Sequence, residues 1–600
     1  MLIEYINMYD FLKGENMFKL IFQNTKKCEW LAVLAVLIFI VGQVFLDLKL
    51  PDYMQEITVM INSGTATTSA VLKSGGFMLL CAVSSALLSV CVGYIVARLS
   101  ATVSARIRSK VFNKVLSFSH GEINKFSTAS LITRSTNDVA QIQGFIAMGM
   151  QASIKAPILA VWAICKIANK SWQWSTATAV AVGFLLIVVV TSLALALPRF
   201  KKIQTLTDNL NRVTRENLTG VRVVRAYNAE NYEEQKFEKA NNDITQNHLF
   251  TQRVMAVMSP AMSMLMSGLS LAIYWIGAHL INEAPLVSKS VLMGDMVVFM
   301  SYSVQVIMAF IMLVMIFVMT PRSMVAGKRI NEVLDTKSSI LDGEGNIVPA
   351  PNKTGEVEFK HVCFKYPNAD EYVLKDITFT AKKGETVAII GSTGCGKSTL
   401  VNLVPRFYDI TEGSLTVDGV NVKDYKLADL HNKIGYVSQK AVMFSGTVES
   451  NISLGDYIKE PTKEDMMTAI DTAQASDFIK TEDDLNKPIT QGGLNVSGGQ
   501  KQRLSIARAL LRAPEILIFD DTFSALDYKT DKKLRKAISQ KLKDSTCLIV
   551  AQRIGTIKNA DKIIVLEDGE IAGMGKHDQL LKTCKVYQEI ALSQLSKEEL

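Results

Sequence analysis

The chain has only six histidines and eight cysteines in 600 residues, and neither set is clustered. Cys28, Cys81, Cys91, Cys165, Cys363, Cys395, Cys547 and Cys584 include no C-x-x-C pair and stand beside no group of histidines. That spacing argues against a zinc site or a disulfide framework. Dense basic tracts interleaved with aromatics are also missing, and the formal net charge is +8, so no nucleic acid is expected as a partner. Met1–Lys27 lacks the unbroken apolar run of a cleavable leader. Its Leu12, Phe18, Leu20, Ile21 and Phe22 instead fit an amphipathic helix over residues 1–27, lying on membrane lipids at the inner surface.

Apolar residues are abundant, at 48% of the chain, and much of this is collected in six runs: Trp30–Leu46, Phe77–Val96, Phe145–Ile167, Thr176–Leu197, Val254–Ile281 and Val291–Met319. A helix needs roughly 20 residues to cross about 30 Å of hydrocarbon, so the runs read as six transmembrane helices. The stretches after the second and fourth runs are long and basic, with Arg98, Arg106, Arg108, Lys110 and Lys114 in one and Lys201, Lys202, Arg212, Arg215, Arg222 and Arg225 in the other. The bias of positive charge toward the inner side places them, the C-terminal domain and both termini in the cytoplasm of a multi-pass inner-membrane protein. Their helical periodicity and scarcity of glycine and proline predict that the spans continue into the cytoplasm. Breaks are expected at Ser117–Ser130, around Gly121, and after Gly220, within Gly220–Glu230. Val223 and Tyr227 share a helix face there, which fits either a docking surface or an ordinary turn.

Thr336–Lys353 is polar and rich in turn residues, and residues 336–353 read as a linker. Residues 28–335 then form the membrane domain and 354–600 an α/β domain. In the latter, Val357–Phe359, Thr386–Ile390, Ile516–Phe519, Thr546–Val550 and Lys562–Leu566 alternate with helical segments, as in a largely parallel sheet. The expected fold is thus an α-helical membrane domain of six spans with long cytoplasmic extensions plus an α/β P-loop nucleotide-binding domain.

The run Val387-Ala388-Ile389-Ile390 meets Gly391, Ser392, Thr393, Gly394, Cys395, Gly396, Lys397, Ser398 and Thr399, a phosphate loop between a strand and a helix. Glycines let backbone N–H groups wrap phosphates, Lys397 adds a charge, and the Ser398 hydroxyl suits Mg²⁺, so ATP and Mg are the expected cofactors. Cys395, beside Lys397 at a helix N-terminus, is expected to be a reactive thiol that ATP covers. About a hundred residues on, Ser497, Gly498, Gly499 and Gln500 open a second helix, a further anion site, followed by the apolar strand Ile516-Leu517-Ile518-Phe519-Asp520.

Together these elements resemble the ATP-binding cassette (ABC) transporters along the whole chain, with six spans and one cassette as in an exporter-type half-transporter. The resemblance implies that Tyr366 stacks on adenine. It also implies that Gln439 contacts Mg²⁺ and the attacking water, that Asp520 holds Mg²⁺, and that Ser524-Ala525-Leu526-Asp527 addresses the opposite site. Two cassettes of the family pair head to tail, so each ATP lies between one chain's phosphate loop and the other's signature. Two positions depart from the family: Asp521 stands where the general-base glutamate is usual, and Gln552 where a histidine is usual. Withdrawing a carboxylate by about 1 Å can cost on the order of a hundredfold, and losing a placed base roughly 10²–10⁴-fold. Gln491 replaces a glutamate common in exporters.

This pattern resembles the degenerate-site subunit of heterodimeric bacterial multidrug exporters, with a second, different half-transporter as partner and a small hydrophobic or amphipathic substrate. A lipid or peptide exporter half, an importer on the same fold, a homodimer tolerating both substitutions and an ATP-binding regulatory membrane protein are the alternatives. Met255, Met258, Met262, Met264, Met266, Met296, Met300, Met308, Met312, Met315 and Met319 could line an adaptable cavity or serve ordinary packing. Lys155, a charge inside the third span, fits either a functional site or a side chain snorkelling to the inner leaflet.

Overall fold

A computed structural model describes residues 15–64, 66–168, 172–345, 353–367, 369–457 and 460–594. They fall into two compact units, one formed by residues 1–114 and 129–336, the other by 115–128 and 337–600.

In the first unit six helical stretches are long and apolar enough to span a membrane: Lys27–Asn62, Thr68–Leu116, Thr128–Ala168, Trp172–Ala196, Glu230–Glu283 and Ser288–Asp335. Each expected apolar run lies within one of them, apart from Leu197 at the end of the fourth, and the helices extend well beyond it. The fourth span continues as one helix from Trp172 to Ala226, about 80 Å at 1.5 Å per residue. The expected break in Gly220–Glu230 falls at the far end of that stretch. Gly220 sits inside the helix, and the chain turns at Tyr227–Ala229, where Asn228 takes φ +50°. Val223 and Tyr227 are both exposed. The bundle core runs through Val36, Ile40, Val44, Leu159, Ala163, Ile273, Phe299, Tyr302 and Val306, all buried. Of the methionines, Met258, Met262, Met266, Met296 and Met300 pack against this core while Met264, Met308 and Met315 are exposed. Packing therefore explains only part of the set.

Ahead of the first span a helix covers Glu15–Asn24, with Met17 and Leu20 buried and Phe18 and Phe22 exposed; Leu12 lies outside the described residues. Met17 packs so closely on Gly327 that a Cβ there would come within 3.0 Å of it. The amphipathic helix therefore turns one apolar side to the last span and leaves a phenylalanine side open.

The second unit contains the α/β domain. Its six-stranded sheet has the order β12-β11-β3-β10-β9-β6 (Glu570–Gly575, Lys562–Glu567, Thr386–Gly391, Thr546–Val550, Ile516–Asp520, Ile434–Val437). All neighbours are parallel except the edge strand β12. One expectation is corrected. Val357–Phe359 belongs not to this sheet but to β1 (Val357–Phe364) of a separate antiparallel sheet of order β2-β1-β4-β5, with β2 at Leu374–Ala381, β4 at Glu412–Val417 and β5 at Val420–Asn421. Its alternation of buried and exposed residues, with one face on the core and one in solvent, differs from the fully buried β9 and β10; that contrast separates the two kinds of sheet.

Two segments from outside the sheets complete this unit. The expected linker is held onto it as far as it is described: Arg406 Nη1 donates to the Leu341 carbonyl (2.9 Å), Leu427 N to Asp342 (2.9 Å) and Gly343 N to the Tyr425 carbonyl (2.9 Å). Residues 346–352 lie outside the described residues. The break at Ser117–Ser130 is the helix His120–Phe126, started by a capping box in which Ser119 Oγ accepts from Gly121 N and Glu122 accepts from Ser119 N at 2.8 Å. Glu122 also accepts from Ser339 N (3.2 Å), and the His120 ring stacks on Phe407 at 5.0 Å. The S-x-x-E spacing was a visible helix-start signal; what the helix would dock on was not visible.

Candidate functional site

The carboxyl edge of the parallel sheet assembles the site. Strand order places the phosphate loop after β3, Gln552 two residues past β10, Asp520 and Asp521 at the end of β9, and Gln439 two residues past β6. Val550 pairs with both Ile389 and Asp520, and Val437 with Phe519. With neighbouring strands about 4.8 Å apart, residues far apart in sequence become adjacent.

The loop itself needs glycine at particular points. Gly394 and Gly396 take φ +89° and +97°, and a Cβ on Gly391 would lie 2.1 Å from the Leu566 carbonyl. The helix Lys397–Leu403 follows with Gly396 as its cap. Lys397 Nζ donates to the carbonyls of Gly391 (2.9 Å) and Ser392 (2.6 Å), so the ammonium is folded over the loop that would receive phosphate. Ser392, Thr393 and Gly394 form its outer turn. Tyr366 reaches the end of the motif by a 2.8 Å hydrogen bond between its hydroxyl and Thr399 Oγ1, its ring held edge-on by Phe364 and Tyr408.

Ser398 Oγ donates to Asp520 Oδ1 at 2.6 Å. Burial holds the Asp520 carboxyl above the usual range, the Ser398 hydrogen bond opposes this, and the neighbouring Asp521 charge adds to it. A buried carboxylate beside a hydroxyl is a hard-oxygen donor set whose charge a cation would offset, which fits Mg²⁺. Ser398 and Asp520 would hold the ion, with Gln439 nearby; bound there, it supplies charge stabilisation to the phosphates.

Asp521 occupies the left-handed region at φ +47°, which aspartate tolerates better than most residues. Its Oδ2 accepts from Gln439 Nε2 at 3.1 Å and from Gln552 Nε2 at 2.8 Å. The structure thus brings together Asp521, Gln552 and Gln439. Ser524 Oγ donates to the Asp521 carbonyl (2.8 Å), and Asp527 caps the following helix through Thr530 N (3.0 Å).

The signature forms its own unit. Ser497 caps the helix Gly498–Leu511 in a reciprocal box with Gln500: Gln500 N donates to Ser497 Oγ (3.3 Å) and Ser497 N to Gln500 Oε1 (2.9 Å). Among the described residues no hydrogen bond joins Ser497–Gln500 to Gly391–Thr399, and the space at Gly498 is open. Gln491 begins the short turn Gln491–Gly493 before it.

Cys395 departs from expectation. The residue is 5% exposed, with its sulfur packed under Gly391 and 3.8 Å from Lys397 Nζ. Burial, which charge arguments from sequence do not register, takes it away from reagents. We therefore expect N-ethylmaleimide to modify the half-buried Cys363 well before Cys395, followed by mass spectrometry of digests with time. Cys395 reacting first would contradict the packed loop.

The comparisons with known proteins agree with this architecture. The profile of the ABC transporter transmembrane region matches residues 33–339 and that of the ABC transporter cassette residues 374–524. An uncharacterized ABC transporter ATP-binding protein of Mycobacterium tuberculosis is 37% identical, covering 91% of this chain and 93% of its own length. An ATP-dependent lipid A-core flippase of Pseudomonas fluorescens is 30% identical over 81% of this chain and 80% of its own. The structure of a bacterial Atm1-family ABC exporter with ATP bound superposes with a TM-score of 0.75 at 22% identity, covering 94% of this chain and 99% of that one. With six spans and a phosphate loop, signature and buried aspartate on one cassette, the chain belongs to the ABC transporters, as a membrane domain fused to a nucleotide-binding domain.

Proposed function

We propose that this chain is one half of a heterodimeric ABC exporter that moves hydrophobic or amphipathic compounds out across the inner membrane, with its cassette in the cytoplasm. Its own ATP site is slow, and its signature completes the faster site of a different partner. The observation that carries the reading is the surroundings of Asp521. The carboxylate is one methylene shorter than the family's glutamate, and its Oδ2 is already occupied by two amide donors. Neither Gln439 nor Gln552 can take up or carry a proton near neutral pH. What remains intact is binding: Gly391–Thr399 would wrap the phosphates, Tyr366 would contact the base, and Ser398 and Asp520 would hold Mg²⁺.

The test is to restore the usual pair. In the heterodimer whose partner has its catalytic glutamate replaced by glutamine, Asp521→Glu with Gln552→His in this chain is expected to raise the residual steady-state ATP hydrolysis by about 10²-fold, the size of a well-placed general base. Equal rates for the double variant and the parent would sink the slow-site reading. A lipid-exporter half is the second reading, favoured by the relative named a lipid A-core flippase.

A further inference from the structure

The helices of the membrane unit enclose a charge network that the nucleotide chemistry does not use. On the first span Asp47 and Asp52 lie five residues apart; on the third Lys155 and Lys166 lie eleven apart. At 1.5 Å per residue these separations are about 7.5 and 16.5 Å, and the flexible lysine stems close the difference. Lys166 Nζ is 2.8 Å from Asp52 and Lys155 Nζ is 3.5 Å from Asp47. The last span contributes Tyr302, fully buried, and Gln305.

The two levels are not equivalent. Asp52 is well supplied: Lys166 donates at 2.8 Å, the Tyr302 hydroxyl at 2.5 Å, and Lys49 stands at 3.8 Å. At the other level Asp47 Oδ1 accepts from Ser85 Oγ at 2.5 Å. Lys155 has only the long 3.5 Å approach to Asp47 and makes no hydrogen bond among the described residues. An ammonium carries three donors, and 3.5 Å is at the far limit of a hydrogen bond. Beside it, Gln305 Nε2 makes a long 3.4 Å bond to the Asp47 carbonyl, while its Oε1 is buried with no partner among the described residues. The Lys155 side chain is 23% exposed and lies about 20 Å along the helix from its end at Ala168. Charges inside spans almost always face the interior of the helix bundle or a water-filled cavity, and mark substrate paths by default. Lys155 thus has donors to spare, and Gln305, which meets the same Asp47, has an acceptor without a donor among the described residues.

We propose that Lys155, Asp47 and Gln305 form a headgroup site for an anionic amphiphile whose acidic group bears an adjacent O–H or N–H donor. The anion displaces the weak hold of Asp47 on Lys155, and the donor satisfies Gln305 Oε1. The better-bonded Asp52–Tyr302–Lys166 set, anchored on the buried Tyr302, is the structural counterpart that keeps the three helices in register. This assignment gives a substrate class to the exporter reading above and rests on it.

Dodecyl phosphate, whose monoanion carries both an anionic oxygen and a P–OH donor, is the probe, with dodecanol and inorganic phosphate as controls. Binding is measured by native mass spectrometry or isothermal titration on the full chain assembled with its partner in phosphatidylcholine nanodiscs, without nucleotide. Lys155→Met is expected to weaken dodecyl phosphate by at least about tenfold, the scale of a lost charge-assisted contact, with dodecanol binding unchanged. Lys155→Arg should keep binding within about threefold. Asp47→Asn should tighten it, because the competing carboxylate is gone. That sign is opposite to the one expected if the pair only held helices together. The double variant Asp47→Asn/Lys155→Met leaves no unpaired charge, so its loss of binding separates the site from misfolding. Equal losses for dodecyl phosphate and dodecanol, weaker binding in Asp47→Asn, or full competition by inorganic phosphate would each overturn the proposal. ATPase stimulation by dodecyl phosphate is read separately. Binding that depends on Lys155 without stimulation overturns the exporter reading while the site stands.

Discussion

Gly498→Asp is expected to abolish steady-state ATP hydrolysis by the assembled transporter while leaving this chain folded at full stability. The local structure separates the two effects. Gly498 has a negative φ that aspartate can adopt, and a Cβ there meets nothing within 4 Å. A carboxylate in the first turn of the helix Gly498–Leu511 even stabilises it by roughly 0.3–1 kcal/mol through the helix dipole. The damage arises only when a phosphate is brought to that N-terminus from another chain. Two like charges about 4 Å apart repel by about 4 kcal/mol at an effective dielectric of 20, close to a thousandfold in occupancy or rate. Ser497→Ala is a less clean test, because it also removes the cap on Gln500 N, worth about 1 kcal/mol. Unchanged melting with turnover lost is the expected pair of results. Near-normal turnover in Gly498→Asp would refute a signature acting across the interface.

The second large effect is an asymmetry. In the heterodimer, removing the partner's catalytic glutamate is expected to lower hydrolysis by at least about a hundredfold, the contribution of a placed general base. Asp521→Ala in this chain should cost less than about threefold, because Asp521 already contributes little to turnover when its Oδ2 is held by Gln439 and Gln552. Asp521→Asn is the matched control, since asparagine tolerates the left-handed conformation at φ +47° better than alanine does. Both rates are read as phosphate release at saturating Mg-ATP. Asp521→Ala as inactive as the partner variant would show that the two sites share the work equally.

Elements encoded by contiguous residues were legible from the sequence. The phosphate loop at Gly391–Thr399, the capped signature at Ser497–Gln500 and the six apolar runs each depend on neighbours within a few residues, through glycine conformations, capping or length against a bilayer. The parallel strands were visible as short apolar runs, but β1 was misassigned because three residues cannot show which sheet they join. The break read in Gly220–Glu230 was legible only to within that stretch: a glycine inside a long, well-formed helix lowers propensity by only about 1 kcal/mol, and the turn came at Asn228, where φ is positive.

Only the tertiary structure decided which distant groups meet. Asp521 collects Gln439 from 82 residues away and Gln552 from 31 away because β9 lies between β6 and β10 in the sheet. The helix His120–Phe126 finds Phe407 and Ser339, and Lys155 finds Asp47 on another span. Burial of Cys395 belongs to the same class. Charge and spacing along the chain state what a side chain can do, whereas its exposure and partners depend on packing among residues that sequence distance does not order.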